Sequence, residues 1–530
     1  MEAAGALERG GFWTYLEAVR GVVRSRSRTF WVVAGLTLLA AGLRFATLGL
    51  QAYHHDEIVT ASRVLRADFW HAMEAVGFSE SAPPLYYASA WLWTQVTGTG
   101  EYGLRSLSAL AGVATVPVAY LIGAELRDRR AGIAAAALVA VNPMLLWYSQ
   151  EARAYALLAL LTSLSLLFFL RALGQPPRGP AVSYAPYASS TNGGSRNLTL
   201  WGVFSGLALA THYFAVFPIA AEAAWLLRRR GREALRGLLV VAGFAAVLAP
   251  LAIHQASLNH AEWIGNHSLG HRLWEIGVVF TVGEVGDIIA RPERPYLALV
   301  PVAAILALLA LLWARGERRE RQAGGRVLAI AAATVAIPLV VALVLPSKDY
   351  VLARNVLPAL VPLLAAVGIA ATLRRPRRAG AVLGAALFVY SLGFCVATNL
   401  APSLQRPDWD AVAAEIGEPQ APRAMVSWTL GHASLRYYLS TGSFQARPSE
   451  GFSWYVHEVD FISDGRVPPV RQDLLGPRFR QVGYERVGRL HIRRYALPGD
   501  DLARLRLKRI RSADTNFRSN GVLLDGIGAP

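Results

Sequence analysis

Apolar stretches the length of a lipid bilayer recur along this chain, and no other feature restricts its fold so severely. Phe30 to Leu50, Gly132 to Tyr148, Tyr155 to Leu173, Leu238 to Ile253, Tyr296 to Trp313, Val327 to Leu345 and Ala379 to Ala397 carry at most one charged residue each. A helix of about 17 to 25 such residues crosses a hydrocarbon core of roughly 30 Å, where backbone polar groups must find partners within the chain. A hydrophobic fraction of 54% over 530 residues also exceeds the roughly 45–50% of soluble proteins. Phe30 to Leu50 is too long for the apolar region of a signal peptide and has no small-residue cleavage site, so it reads as a retained first span.

The net charge of +17 excludes little by itself. Its arginines sit in short clusters between spans and form no aromatic-interleaved stripe, which argues against nucleic acid and for positive-inside sorting. With Arg24-Ser-Arg26-Ser-Arg28 inside, Gln51 to Pro84 emerges outside. Arg127 to Arg130, the loop from Gly174 to Asn197, Arg228 to Arg232, Arg315 to Arg326 and Arg374 to Arg378 all fall inside only if Leu85 to Gly98 does not cross. That segment is short, rich in Tyr and Trp and led by Pro83-Pro84, as suits an interfacial or re-entrant helix. The expected spans are 30–50, 104–124, 131–148, 155–173, 199–212, 213–228, 237–255, 296–313, 327–346, 351–373 and 379–398, about eleven in all, with the carboxy terminus outside.

The fold class is therefore mainly α and polytopic: a cytoplasmic segment over 1–28, a transmembrane domain over 29–399, and a small extracytoplasmic α/β domain over 400–530. Alternation in Arg486 to Leu497 reads as strand. The basic tail from Arg504 to Arg518 reads as disordered, with contact to anionic lipid as the other reading. Cys395, the single cysteine, excludes an intramolecular disulfide and argues against a cysteine metal cluster.

Polar residues concentrate in the segments assigned to the outer face. His54-His55-Asp56-Glu57 puts two carboxylates beside two histidines, suited to a general base and to cation ligands at Asp56, Glu57 and His55; a helix amino-terminal cap is the plainer alternative. Neighbouring side chains diverge, so Asp56 and Glu57 take different roles. The turn Tyr148-Ser149-Gln150-Glu151-Ala152-Arg153-Ala154-Tyr155 is unusually polar for membrane depth, and Arg153 can hold a phosphate while Tyr155 meets a sugar edge; interfacial anchoring is the alternative. His212 and Tyr213 join two spans on the same side. Lys348 and Arg354 flank another outer turn and together suit a phosphate leaving group; a surface pairing of Asp349 with Arg354 is the alternative. In the loop from Gln255 to Arg294, His267 and His271 have helical i,i+4 spacing, but neither His260 nor Glu262 makes a clear third metal ligand. Arg44 and Glu222 are ionisable residues within spans.

At these residues the sequence resembles the GT-C superfamily of polyprenyl-phosphate-sugar-dependent glycosyltransferases, in particular the protein mannosyltransferase and aminoarabinose transferase group. The resemblance covers roughly residues 30 to 410. It rests on His55-Asp56-Glu57, Ala82-Pro83-Pro84-Leu85-Tyr86-Tyr87, the run from Glu101 to Leu110, Tyr148-Ser149-Gln150-Glu151-Ala152-Arg153 and Arg406-Pro407-Asp408-Trp409. The resemblance implies an integral membrane enzyme of a bacterial cell envelope that moves a pentose or hexose, with inversion, from a polyprenyl-phosphate donor to a glycan, lipid or protein acceptor outside the plasma membrane. Asp56 would be the general base, with Glu57 and His55 or His212 orienting acceptor or cation. Arg153, Lys348 and Arg354 would hold the donor phosphate, while Tyr148, Gln150, Glu151, Tyr155 and Tyr213 would line the substrate site. A divalent cation, Mg or Mn, is the cofactor this group sometimes uses. Ala353-Arg354-Asn355 stands where relatives often have Arg-Tyr, and residues 400–530 match no pattern of the group. A transporter or flippase without transfer chemistry is the rival class, but it would place ionisable residues at the bilayer midplane, where Glu222 is nearly alone. A scaffold would leave the polarity of 148–155 unexplained.

Overall fold

The computed structural model describes residues 28–65, 68–174, 191–258, 264, 268–284, 296–345, 349–439, 444–446, 453–465, 467–468, 470–513 and 520–525. Among these, eight helical stretches are long and apolar enough to cross a membrane: Arg28–Phe45, Glu101–Leu126, Tyr155–Ala172, Tyr213–Ser257, Tyr296–Arg315, Arg318–Val344, Ala353–Ala371 and Arg377–Leu400. Arg129–Ala140 and Pro143–Ser149, bent by 57°, make a ninth if taken as one span. The expected count was about eleven, and the difference has two causes. Tyr213–Ser257 is continuous in composition but holds two helices, Val216–Arg230 and Leu235–Ser257, separated at Gly231 where φ is +53°. Thr191–Thr211 is helical, but its first turns carry Asn192, Ser195, Arg196 and Asn197. Leu85–Thr97 is a 13-residue helix, only about 20 Å long and too short to span. Leu269–Val282, expected as loop, is a helix capped by Ser268 that buries Ile276, Val279 and Phe280. Its apolar run is too short to span, which hid it among the loop residues.

By their contacts the described residues fall into two compact units. One comprises residues up to Ala46, Val76–Ser89 and Arg105–Val396, and the other Thr47–Ala75, Ala90–Leu104 and the chain from Ala397 onward.

The first unit is a helical bundle in which several buried polar groups are satisfied at helix breaks and helix crossings. Pro143 has no N–H to give Val139, so the 129–140 helix ends with open carbonyls. Arg44, fully buried, fills the gap: its Nη1 donates to Ala140 O at 2.9 Å and its Nε to Ser149 Oγ at 3.1 Å. Arg44 thus has a structural role at the break. Glu222 is equally committed, with Oε2 accepting from Ser165 Oγ at 2.6 Å and Trp201 Nε1 at 2.7 Å. At one end of the bundle Arg127 pairs with Glu320 at 2.8 Å and donates to Thr372 O at 2.6 Å, while the Arg374 N–H also donates to Glu320. Arg229 lies within electrostatic range of Arg326, and a Cβ on Gly194 would stand 2.5 Å from Arg230. Among the described residues, the arginine-rich segments expected on one side therefore share one end; Arg24, Arg26 and residues 175–190 lie outside the described residues.

The second unit is built on a six-stranded sheet in the order β2-β8-β1-β4-β6-β5, where β1 is Arg423–Trp428, β2 Phe444–Ala446, β4 Glu458–Asp464, β5 Arg480–Val487, β6 Leu490–Ala496 and β8 Asn520–Asp525. Only β1 and β4 pair in parallel. β3, Ser453–Val456, and β7, Ala503–Arg506, form a separate antiparallel pair. The alternating stretch from Arg486 spans the β5–β6 turn, where Gly488 has φ +57°. Strand alternation gives the sheet two apolar faces. Ala424, Val426, Val459 and Phe461 meet Leu505, Ile510 and Ala513 on one side. Met425, Ile462, Ile492 and Leu523 meet Trp409, Val412, Leu435 and Ala52 on the other. Leu505 to Ala513 is thereby part of the core, which corrects the reading of a disordered tail from Arg504; residues 514–519 lie outside the described residues. Arg423 ties this unit at its centre, with Nη2 at 2.7 Å from Asp525 and Nη1 donating to Ile416 O at 2.9 Å.

Candidate functional site

Two clusters of the expected residues exist, one in each unit.

In the first unit, the end of the 143–149 helix delivers Tyr148 and the start of the 155–172 helix delivers Tyr155, and their rings lie 4.6 Å apart. Tyr155 meets the His212 ring at 5.5 Å, His212 meets Phe214 at 5.0 Å, and Phe214 meets Tyr350 at 5.5 Å, giving an aromatic row assembled from four segments. The Tyr148 hydroxyl donates to Glu284. His212 breaks the chain between two helices in an extended conformation, and its Nδ1 accepts from the Phe214 N–H at 3.3 Å. That fixes the tautomer with the proton on Nε2. Burial first, then the charges of Arg153 and Arg354, push His212 down to about 3. Arg153 and Arg354, far apart in sequence, therefore both act on one buried neutral imidazole.

Arg153 is itself paired. Its Nη1 lies 2.9 and 2.8 Å from the two oxygens of the buried Glu80, and its guanidinium stands 5.9 Å over the Tyr87 ring. Asp349 does not pair with Arg354: Arg272 grips it with Nη1 at 2.7 Å and Nη2 at 2.5 Å and also donates to Val351 O at 2.9 Å. The Arg272 hydrogen bonds hold the Asp349 carboxyl below its ordinary range. Gln150 donates to the carbonyls of Leu43 and Arg44, and Glu151 is buried in the same turn. Tyr213 donates to Gln255 at 2.9 Å, and Gln255 in turn donates to Val76 O and Ala82 O, anchoring the segment that carries Glu80. Lys348, His260, Glu262 and His267 lie outside the described residues.

In the second unit, His55–Val59 is a short helix entered through His54. Glu57 is buried, and its Oε2 accepts from the His54 N–H at 2.9 Å, closing the amino-terminal turn. Asp56 lies 3.3 Å from His55 Nε2, and the His54 and His55 rings are 3.7 Å apart. One ligand atom each from His54, His55 and Asp56 falls within 4.8 Å of the others, the grouping among the described residues that would suit a metal ion.

Sequence reasoning missed Glu80, Glu284 and Arg272. Each is an ordinary acid or base beside an apolar run, and its meaning comes from a partner 73, 136 and 77 residues away. The position of Glu80, just before Pro83-Pro84 in a segment expected on the outer face, was the one available signal.

Residues 81–254 match the family of dolichyl-phosphate-mannose-protein mannosyltransferases. Among solved structures, ArnT from Cupriavidus metallidurans, in the apo state and bound to undecaprenyl phosphate, aligns at 15% identity over 88% of this chain and 98% of its own, with a TM-score of 0.49. The oligosaccharyltransferase of Archaeoglobus fulgidus in complex with Zn and sulfate aligns at 15% identity over 77% of this chain and 57% of its own, with a TM-score of 0.41. No curated protein sequence matches.

Proposed function

The chain resembles GT-C glycosyltransferases of the mannosyltransferase kind, and from that premise we propose that it is an inverting enzyme moving a pentose or hexose from a polyprenyl phosphate to an acceptor hydroxyl at the outer face of the plasma membrane. The observation that carries the reading is the convergence of Arg153 and Arg354 on neutral His212 beside the Tyr148–Tyr155 wall. Aromatic faces suit the apolar face of a sugar, and guanidiniums suit the phosphate to which it is attached.

In the reaction the acceptor oxygen attacks the anomeric carbon opposite the phosphate, the carbon–oxygen bond to phosphate breaks, and the hydroxyl proton passes to Asp56. The departing phosphate gains negative charge, which Arg354, Arg153 and Lys348 balance. The charge of Arg153 is already offset in part by Glu80. His212 Nε2–H donates a neutral hydrogen bond to a sugar or phosphate oxygen. Glu57 acts through the helix turn that sets Asp56. The acceptor, whether glycan, lipid or protein, is recognised separately.

A divalent cation would be held by His54, His55 and Asp56, a set with two imidazoles that fits Mn better than Mg. Bound there, it would acidify the acceptor hydroxyl.

The test is to incubate purified protein with polyprenyl-phosphate pentoses and hexoses and measure released polyprenyl phosphate. Release that disappears in Asp56→Asn, with expression and folding intact, is expected. No turnover with any donor, together with vectorial movement of the lipid-linked sugar in liposomes, would replace the enzyme with a transporter; full activity in Asp56→Asn would remove Asp56 from the mechanism.

A further inference from the structure

The short helix that carries Asp56 cannot hold its own position. Five residues make too few hydrogen bonds to be stable alone, so the direction of the Asp56 carboxylate is set by whatever fixes the residues just before it. Those fixings come from the far end of the chain, within the same unit. Thr47 donates to Asn399 at 3.1 Å, the Arg406 N–H donates to Gln51, and Ala52 sits in the apolar layer with Trp409 and Leu435. Tyr53 is the last of these ties and the most constrained. It is fully buried, its hydroxyl donates to Thr99 O at 2.7 Å, and its ring meets Tyr437 edge-on at 5.9 Å.

Its backbone N–H goes to a side chain. Tyr53 N–H donates to the Tyr438 hydroxyl at 2.6 Å, and that hydroxyl donates onward to Glu101 Oε1 at 2.7 Å. The acceptor is polarised by its own donation to a carboxylate, which strengthens the bond that Tyr53 makes. The next amide, that of His54, is taken by Glu57. Two consecutive amides at the root of the Asp56 helix are thus fixed, one by the helix itself and one by Tyr438.

We propose that Tyr438, on the Thr429–Tyr438 helix of the carboxy-terminal part, is a positioning residue for the Asp56 general base, acting through the Glu101–Tyr438–Tyr53 hydrogen-bond chain. The role rests on the reading of Asp56 as base. It gives the carboxy-terminal part a task in catalysis besides any contact with the acceptor: the sheet and its covering helices form the mount on which the base is held.

The experiment uses the full chain in nanodiscs and two readouts, one of them independent of activity. Tyr438→Phe keeps the ring and removes the hydroxyl. It should raise amide hydrogen exchange over residues 51–60 about tenfold and lower kcat about tenfold, with the donor KM within about twofold and the unfolding midpoint unchanged. Glu101→Ala should act in the same direction, and the double variant should lose no more than the worse single one. Tyr484→Phe, which removes a hydroxyl bonded to His491 on the outer strand pair, is the control and should move neither readout. Unchanged exchange and kcat in Tyr438→Phe, or additive losses in the double variant, would overturn the proposal, as would faster exchange with full kcat. If the wild type transfers no sugar, the reading of Asp56 as base fails; unchanged exchange in Tyr438→Phe would then refute the mount as well, and faster exchange would retain it as a structural tie without a catalytic role.

Discussion

His212 contributes to stability through the proton it refuses. Its folded value of about 3 lies below the roughly 6.5 of an unfolded histidine. The unfolded chain therefore binds more protons between these values, so the contribution is fully present above about pH 6.5 and is lost as pH falls toward 3. His212→Gln should flatten the fall of the thermal midpoint across that window, and an unchanged slope would assign the acid sensitivity elsewhere. Arg153 makes a second case. Arg153→Ala leaves Glu80 buried without its cation, a worse state than losing both charges. The single variant should lower the midpoint, and adding Glu80→Gln should recover part of the loss; no recovery would show that Glu80 has another compensating group. At this scale Asp56, Arg153 and His212 were legible as polar residues at the ends of apolar runs. Their partners were not, because a sequence shows which groups are costly to bury and not which distant group offsets the cost.

Helices here are positioned where side chains are missing as much as where they are present. A Cβ on Gly112 would stand 2.0 Å from Ser149 Oγ and 3.0 Å from Arg44 Nε, so the 101–126 helix can approach the bend only as glycine. Gly112→Ala should displace Arg44 from the open carbonyls and lower both the midpoint and the yield of folded protein; a neutral result would mean that the guanidinium has another place to go. In the sheet, Arg423→Ala would remove the cation paired with buried Asp525 and should cost about 3–5 kcal/mol, measured by denaturant unfolding. Span length was readable because the bilayer sets it. The 57° bend and the 269–282 helix were not, since a break filled by a remote arginine and an apolar run too short to cross both look like ordinary variation in composition.

At the scale of the molecule, the segments carrying Arg127, Glu320 and Arg374 meet at one end of the bundle through Arg127, Glu320, Thr372 and Arg374. Cys395 is buried with Sγ against Val141 O, so it gives little background to an introduced thiol. A cysteine at Arg129 should label only from the cytoplasmic side, and labelling from outside would invert the topology. What parity could not supply was the grouping of 47–75 with the chain beyond Ala397, which depends on side-chain ties such as Tyr53 to Tyr438. The bend at Pro143 has a temporal consequence as well. The carbonyls of Val139 and Ala140 find a donor in Arg44, on a helix made roughly a hundred residues earlier in translation. The Arg28–Phe45 helix is therefore made well before the segment it completes, and the stretch that leads to Arg153 takes its final shape only once the two have met.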